Sequence, residues 1–321
     1  GLVAYNSAIS ACEKGLRWEW ALQLLGELRQ QHLAPDVITC SAVISACGQC
    51  ERWQQALAVL REMATRGLRA NVVACSAALS AHERGGQWER ALSLLGAMAH
   101  ASLEPNVISC NAPITACEKG GQWEWALGLL QSMRPAPDAV SFNAAISACA
   151  RSEHWEIALS LMHEMRLAGV PPNIITYNAA LTACEKGGQL EKAESLFEEI
   201  EDMRLVPDII TYGAAISACA AGGRWQRALG LVQELRTSGV QPNAVTCNAA
   251  LSACQRAGRW VEALALAHAM RQEAIELDAT AFRSLVAVCD QRRQCGFIRG
   301  VLSEMRSGAC MRSGVRAREQ R

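Results

Sequence analysis

Two columns of hydrogen-bonding side chains recur along this sequence. The first is Asn6, Ser41, Ser76, Asn111, Asn143, Asn178, Gly213 and Asn248. The second is Asp36, Asn71, Asn106, Asp138, Asn173, Asp208, Asn243 and Asp278. An Asn amide carries donors and an acceptor on one small head, whereas an ionised Asp offers acceptors alone. Such columns suit recognition of a polar edge by hydrogen bonding. They do not suit catalysis: no carboxylate pair, no Ser, His and Asp set, and no His-x-Glu followed by Cys-x-x-Cys accompanies them, and the six His are scattered. The expectation is a protein that is not an enzyme and needs no cofactor.

The elements that position these columns follow from an internal period. Copies of one stretch begin at Leu2, Val37, Val72, Val107, Ala139, Ile174, Ile209, Ala244 and Ala279, with a spacing of 35 residues broken only by a fourth copy of 32. The first column is then the fifth place of each repeat, and the second column closes it. Each repeat reads as two helices. A first helix of small apolar residues follows a Ser or Thr taken as its N-cap (Thr39, Ser109, Ser141, Thr176, Thr211, Thr246) and stops at Gly, often paired, as in Gly85-Gly86 and Gly120-Gly121. A second helix starts at Trp and ends at Pro followed by Asp or Asn. One hairpin cannot bury both its faces, but stacked hairpins can. The predicted fold is therefore all-α, a right-handed α-solenoid of about nine helix-turn-helix repeats over residues 1–313, the last degenerate and capping. Residues 314–321 read as a basic, disordered tail. Residue 1 is Gly, and no secretory or transit segment precedes the first repeat, so the chain reads as a fragment of something longer.

Composition narrows the field. Lys and Arg total 31 against 31 Asp and Glu, and the pI is near 7.1, which gives no sign of a partner held mainly by phosphate neutralisation. No run of 18 apolar residues occurs. The 15 Cys would suggest disulfides, but their placement argues otherwise. Eight stand at the eleventh place (Cys12, Cys47, Cys117, Cys149, Cys184, Cys219, Cys254, Cys289), with His82 in the remaining repeat, and Cys40, Cys75, Cys110 and Cys247 stand at the fourth. Among Ala, Ile and Leu these read as small buried hydrophobes of a reducing compartment. Only Cys47 and Cys50 form a Cys-x-x-Cys, and no second pair completes a zinc site. The Trp column (Trp18, Trp53, Trp88, Trp123, Trp155, Trp225, Trp260, with Leu190 in the sixth repeat) reads as packing. Trp20 and Trp125 fit no column.

A 35-residue helical hairpin with Thr-Tyr-Asn near its start, Ala-Leu in its second helix and Pro-Asp or Pro-Asn at its end resembles the P-type-like pentatricopeptide repeat family, over almost the whole chain. The tetratricopeptide period and Trp-x-x-Leu-Gly-x-x-Tyr opening are absent. The resemblance implies binding of single-stranded RNA, one base per repeat, read by two or three side chains. It makes the fifth and closing places the base readers. Asn with Asp favours U, Asn with Asn favours C, and Ser with Asn favours A, which suggests 5′-UAAUCUxU-3′ parallel to the chain. It makes the second place (Val3, Ile38, Val73, Ile108, Val140, Ile175, Ile210, Val245) a set of branched side chains that sandwich bases; packing on the next repeat is the alternative. It gives the basic thirteenth place (Lys14, Arg84, Lys119, Arg151, Lys186, Arg256) to phosphate, against a cation complementing a helix C-terminus.

Three departures bear on this. Gly213 leaves the seventh repeat without a reader, and the two Ser readers lack a methyl to fix the hydroxyl. The fourth repeat lacks three residues after Met133 and carries Pro113 in its first helix, which leaves Asp138 open to displacement. The family also implies a mitochondrion or chloroplast, and a role in RNA processing, stability, editing or translation, with a processing or editing partner protein. The alternative function is a scaffold that holds a peptide in its groove.

Overall fold

The structure, a computed structural model, describes residues 1–273, 275 and 277–291. The second helix of the ninth repeat, the side chain of Cys289 and the basic tail at 314–321 lie outside the described residues. The described chain is all-helical. First helices are α1 (Leu2–Lys14), α3 (Val37–Gln49), α5 (Val72–Arg84), α7 (Val107–Lys119), α9 (Ala139–Arg151), α11 (Ile174–Lys186), α13 (Ile209–Ala221), α15 (Ala244–Arg256) and α17 (Ala279–Gln291). Second helices are α2 (Trp18–Gln30), α4 (Trp53–Thr65), α6 (Trp88–His100), α8 (Trp123–Ser132), α10 (Trp155–Leu167), α12 (Leu190–Asp202), α14 (Trp225–Thr237) and α16 (Trp260–Gln272). None is long and apolar enough to cross a membrane.

The chain divides into two compact units, Gly1–Ala183 and Cys184–Arg321, with the division inside α11. In the first unit α1, α3, α5, α7 and α9 stack in order, each flanked by its second helix. In the second, α13, α15 and α17 stack likewise. Small side chains let the first helices approach closely. A Cβ at Gly48 of α3 would stand 3.2 Å from the Ala77 carbonyl and from Ala81 Cβ of α5. Second helices bury one stripe, such as Ala21, Leu25 and Leu28 on α2 or Ala228, Leu231 and Leu235 on α14. Every described Cys of the eleventh place except Cys12 is buried, and burial pushes the Cys47 thiol up to about 12 and those of Cys117, Cys149, Cys184, Cys219 and Cys254 up to about 11. Thiols so far from ionisation are packing groups.

One local expectation is corrected. The first helices begin at the repeat starts, three residues before the place a Ser or Thr cap would require. The cap is the closing residue itself. Asp36, Asn71, Asn106, Asp138, Asp208 and Asn243 are extended, and each side chain accepts the N–H three residues on. Asn173 and Asp278 accept from Thr176 and Ala281 in the same way. Thr39, Ser109, Ser141, Thr176, Thr211 and Thr246 are instead the third residue of each helix, and in α9, α13 and α15 the hydroxyl accepts the cap's own N–H in a capping box.

Candidate functional site

Capping fixes the closing side chain, and stacking brings it beside the fifth-place residue of its own repeat. The Asn6 amide donates to the Asp36 carboxylate at 3.4 Å, Asn111 to Asp138 at 3.0 Å, Asn143 to Asn173 at 3.3 Å and Asn248 to Asp278 at 2.9 Å. The fourth pair is therefore not displaced. The residues missing from the fourth repeat shorten α8 to ten residues and leave α7 at 13, Pro113 included, so the loss falls outside the ladder of first helices. Asn178 is buried in the first unit and Asp208 caps α13 in the second.

The Ser readers behave differently. Ser41 turns its hydroxyl to the Val37 carbonyl at 2.6 Å. Ser76 lies 2.7 Å from the Ser109 hydroxyl, which in turn donates to Asn106. At Gly213 an added Cβ would meet only Thr246 Cγ2 at 3.6 Å, so the seventh repeat has room for a reader it lacks.

Three closing carboxylates, Asp36, Asp138 and Asp278, are held toward the ionised form. Burial pulls Asp36 and Asp138 upward, but the N–H and hydroxyl of Thr39 or Ser141 and the amide of Asn6 or Asn111 outweigh it, so both sit below the ordinary carboxylate range. At Asp278 the Ala281 N–H alone is the largest influence, and it acts downward.

The second-place residues are largely exposed. Val3, Ile38, Val73, Ile108, Val140, Ile175, Ile210 and Val245 are all exposed, from 55% at Val140 to 79% at Val3. Eight branched apolar side chains thus stand in water at one place of the first eight repeats.

Four of the basic column are engaged with the preceding repeat. Arg84 donates to the Gly48 carbonyl, and Arg256 to the carbonyls of Ala220 and Ala221, all at first-helix C-termini. Lys119 pairs with Glu83 at 3.2 Å and Arg151 with Glu118 at 3.5 Å. Lys14 and Lys186 are exposed.

What the sequence reading missed is the second use of the third-place hydroxyl. Thr39 donates to Asn6 Oδ1 at 2.5 Å, Ser141 to Asn111 Oδ1 at 2.5 Å, and Thr176 to Asn143 Oδ1 at 2.6 Å. The signal was present as a Ser/Thr column, but its partner lies in the preceding repeat. Among the described residues no group of three His, Cys, Asp or Glu could hold a metal ion.

Family models match most of this architecture. A PPR repeat family model matches residues 137–186, 172–221 and 207–256; a pentatricopeptide repeat domain model matches 1–50 and 58–122; a PPR repeat model matches 38–68 and 245–275. No curated protein matches the chain. Among solved structures, the pentatricopeptide repeat protein PPR10 in complex with an 18-nucleotide PSAJ RNA element matches with a TM-score of 0.76 at 20% identity, covering 96% of this chain and 50% of that one. PPR10 from maize matches with a TM-score of 0.58 at 24% identity, covering 96% and 49%. The chain thus spans about half the length of these structures.

Proposed function

The chain belongs to the pentatricopeptide repeat family, and from that premise we propose that it binds single-stranded RNA sequence-selectively, one base to a repeat. The observation that carries the proposal is the exposed branched column beside the hydrogen-bonded pairs. A base seated between the second-place side chains of successive repeats would cover apolar surface that otherwise stands in water. Its edge would then face the amide and closing residue of one repeat. An amide gives a pyrimidine edge both a donor and an acceptor, while Asp or Asn at the closing place separates edges by accepting only or also donating.

With the chain formally neutral, binding rests on stacking and edge contacts more than on phosphate neutralisation. The thirteenth-place cations remain on the surface and would contact phosphate by exchanging their helix-terminal partners. The proposed target is 5′-UAAUCUxU-3′, with the seventh base unread at Gly213. That the matched PPR10 structure holds an 18-nucleotide RNA supports the reading. The protein would act by occupancy, shielding RNA, opening its structure or recruiting a processing or editing partner, in a mitochondrion or chloroplast.

The test is binding to 5′-UAAUCUUU-3′ against a shuffled octamer at one stated salt, with Asp208→Asn read beside it on RNA whose sixth base is C. The expected outcome is preference for the target and a shift of the variant toward C. Equal binding to both RNAs would remove base reading, and binding to neither would turn the assignment to a peptide scaffold.

A further inference from the structure

Within one molecule the reading amides fall into two classes. Asn6, Asn111 and Asn143 are gripped twice, the carbonyl by a hydroxyl of the next repeat and the amino group by the closing residue. Asn248 is gripped once. Its amino group reaches Asp278 at 2.9 Å, but its Oδ1 is buried and has no hydrogen-bond partner. The cause is a single residue: the third place of the ninth repeat is Ala281, fully buried, where the repeats that follow Asn6, Asn111 and Asn143 carry Thr39, Ser141 and Thr176.

The grip decides which way the amide faces. The terminal torsion of Asn is broad and nearly two-fold, so little intrinsic preference separates its two flips. Capping holds an oxygen of the closing residue in place, since Oδ1 of Asp138 or Asn173 accepts the N–H of Ser141 or Thr176. The reverse flip would set the reader's carbonyl against that oxygen. The hydroxyl completes the choice by donating to Oδ1. One N–H and one lone pair of the amide then remain, side by side and in fixed order, for a base edge.

We propose that the third-place hydroxyls of Thr39, Ser141 and Thr176 are specificity-determining positioning groups, each fixing the flip of the reading Asn in the repeat before it, and that Ala281 makes the eighth reader permissive. This inference rests on the base-reading function proposed above and names residues outside the two reading columns.

Two variants test it, with affinity measured for eight single-base substitutions of the target octamer. Thr176→Val keeps shape and the Asn173 cap bond to the residue 176 N–H but removes the hydroxyl. Discrimination at the fifth base is expected to fall about fivefold while that at the other bases holds. Ala281→Ser supplies the missing donor, and discrimination at the eighth base is expected to rise about fivefold. An even loss at every base in Thr176→Val, or unchanged discrimination at the fifth base, would overturn the inference, as would an unchanged eighth base in Ala281→Ser. A parent protein that discriminates at no base would overturn the base-reading proposal itself and this inference with it. The two failures are distinguished by the parent's own profile.

Discussion

Each repeat has two apolar columns that open a helix, and they meet opposite fates. The second-place branched residues start the first helix and stand in solvent. The Trp residues start the second helix and are half-buried against the next repeat. Trp53 and Trp88 lie where a Cβ on Gly85 or Gly120 would come within 2.3 and 2.6 Å of their indoles, and Leu190 stands in the same relation to Gly222 at 2.4 Å. Arg52, Arg90 and Arg259 lie over Trp18, Trp53 and Trp225 at 5.0, 4.5 and 4.4 Å. Hydrophobicity and helix position alone do not tell a packing column from an exposed one. What separates them is whether the neighbouring repeat leaves a hole. A glycine opens one for Trp53 and for Trp88, and nothing does so for Val or Ile.

The sharpest way to break this comparison is to close a hole. Gly85 has an ordinary helical backbone, so Gly85→Ala strains nothing locally and acts only by pushing Trp53 away. Overpacking of this kind is expected to cost about 3 kcal/mol, read by urea unfolding.

The same Trp has a titratable neighbour. His82 takes the eleventh place where other repeats have Cys, is 1% exposed, and its ring lies 6.2 Å from that of Trp53. Burial, reinforced by the Arg90 charge, lowers its pKa from 6.5 to about 4. The folded protein thus refuses a proton that the unfolded chain accepts, so stability falls as pH drops below 6.5 and the loss is complete near 4. The expected loss is about 3 kcal/mol, and His82→Cys should flatten stability against pH over that window. A variant with the parent's slope would place the proton elsewhere.

The exposed column should respond in the opposite sense. Ile108 is 62% exposed, so Ile108→Ala should change unfolding stability by less than about 0.5 kcal/mol. Affinity for the octamer should nevertheless fall roughly tenfold. Lost stability with unchanged affinity would erase the distinction between the columns.

How much of this was legible in the sequence depended on how far away each partner lies. The period located every first-helix start, because Leu2, Val37 and their counterparts repeat the same local pattern. The Cys columns read as core for the same reason, and the described members other than Cys12 are buried there. The caps were misplaced by three residues because Asp, Asn, Ser and Thr all serve at N-caps, and only the observed helix start tells Asp138 from Ser141. The hydroxyl grip on Asn111 escaped notice because Ser141 is 30 residues on, and no pattern within one repeat reveals a bond between two. The fourth repeat is three residues short, yet Asn111 and Asp138 still meet at 3.0 Å. A count of missing residues does not say which helix lost them.

The two glycines that end many first helices show the same division at its smallest scale. The first, as at Gly120, is there for the Trp of the preceding repeat. The second, as at Gly121 with φ of +68°, is there for its backbone. In the fifth repeat both are replaced. Ser152 holds the first place, and the preceding Trp123 packs with His154 at 4.2 Å between ring centroids. Glu153 holds the second with φ of +65°, a conformation that costs a side-chain-bearing residue about 1 kcal/mol. Glu153→Gly removes that strain without touching the Trp contact, while the freer unfolded chain takes back part of the gain. A net stabilisation of about 0.5 kcal/mol is expected, visible as a small rise in unfolding midpoint, whereas Gly120→Ala one repeat earlier should lower it. If the two substitutions moved the midpoint in the same direction, the indole would not be what the first glycine accommodates.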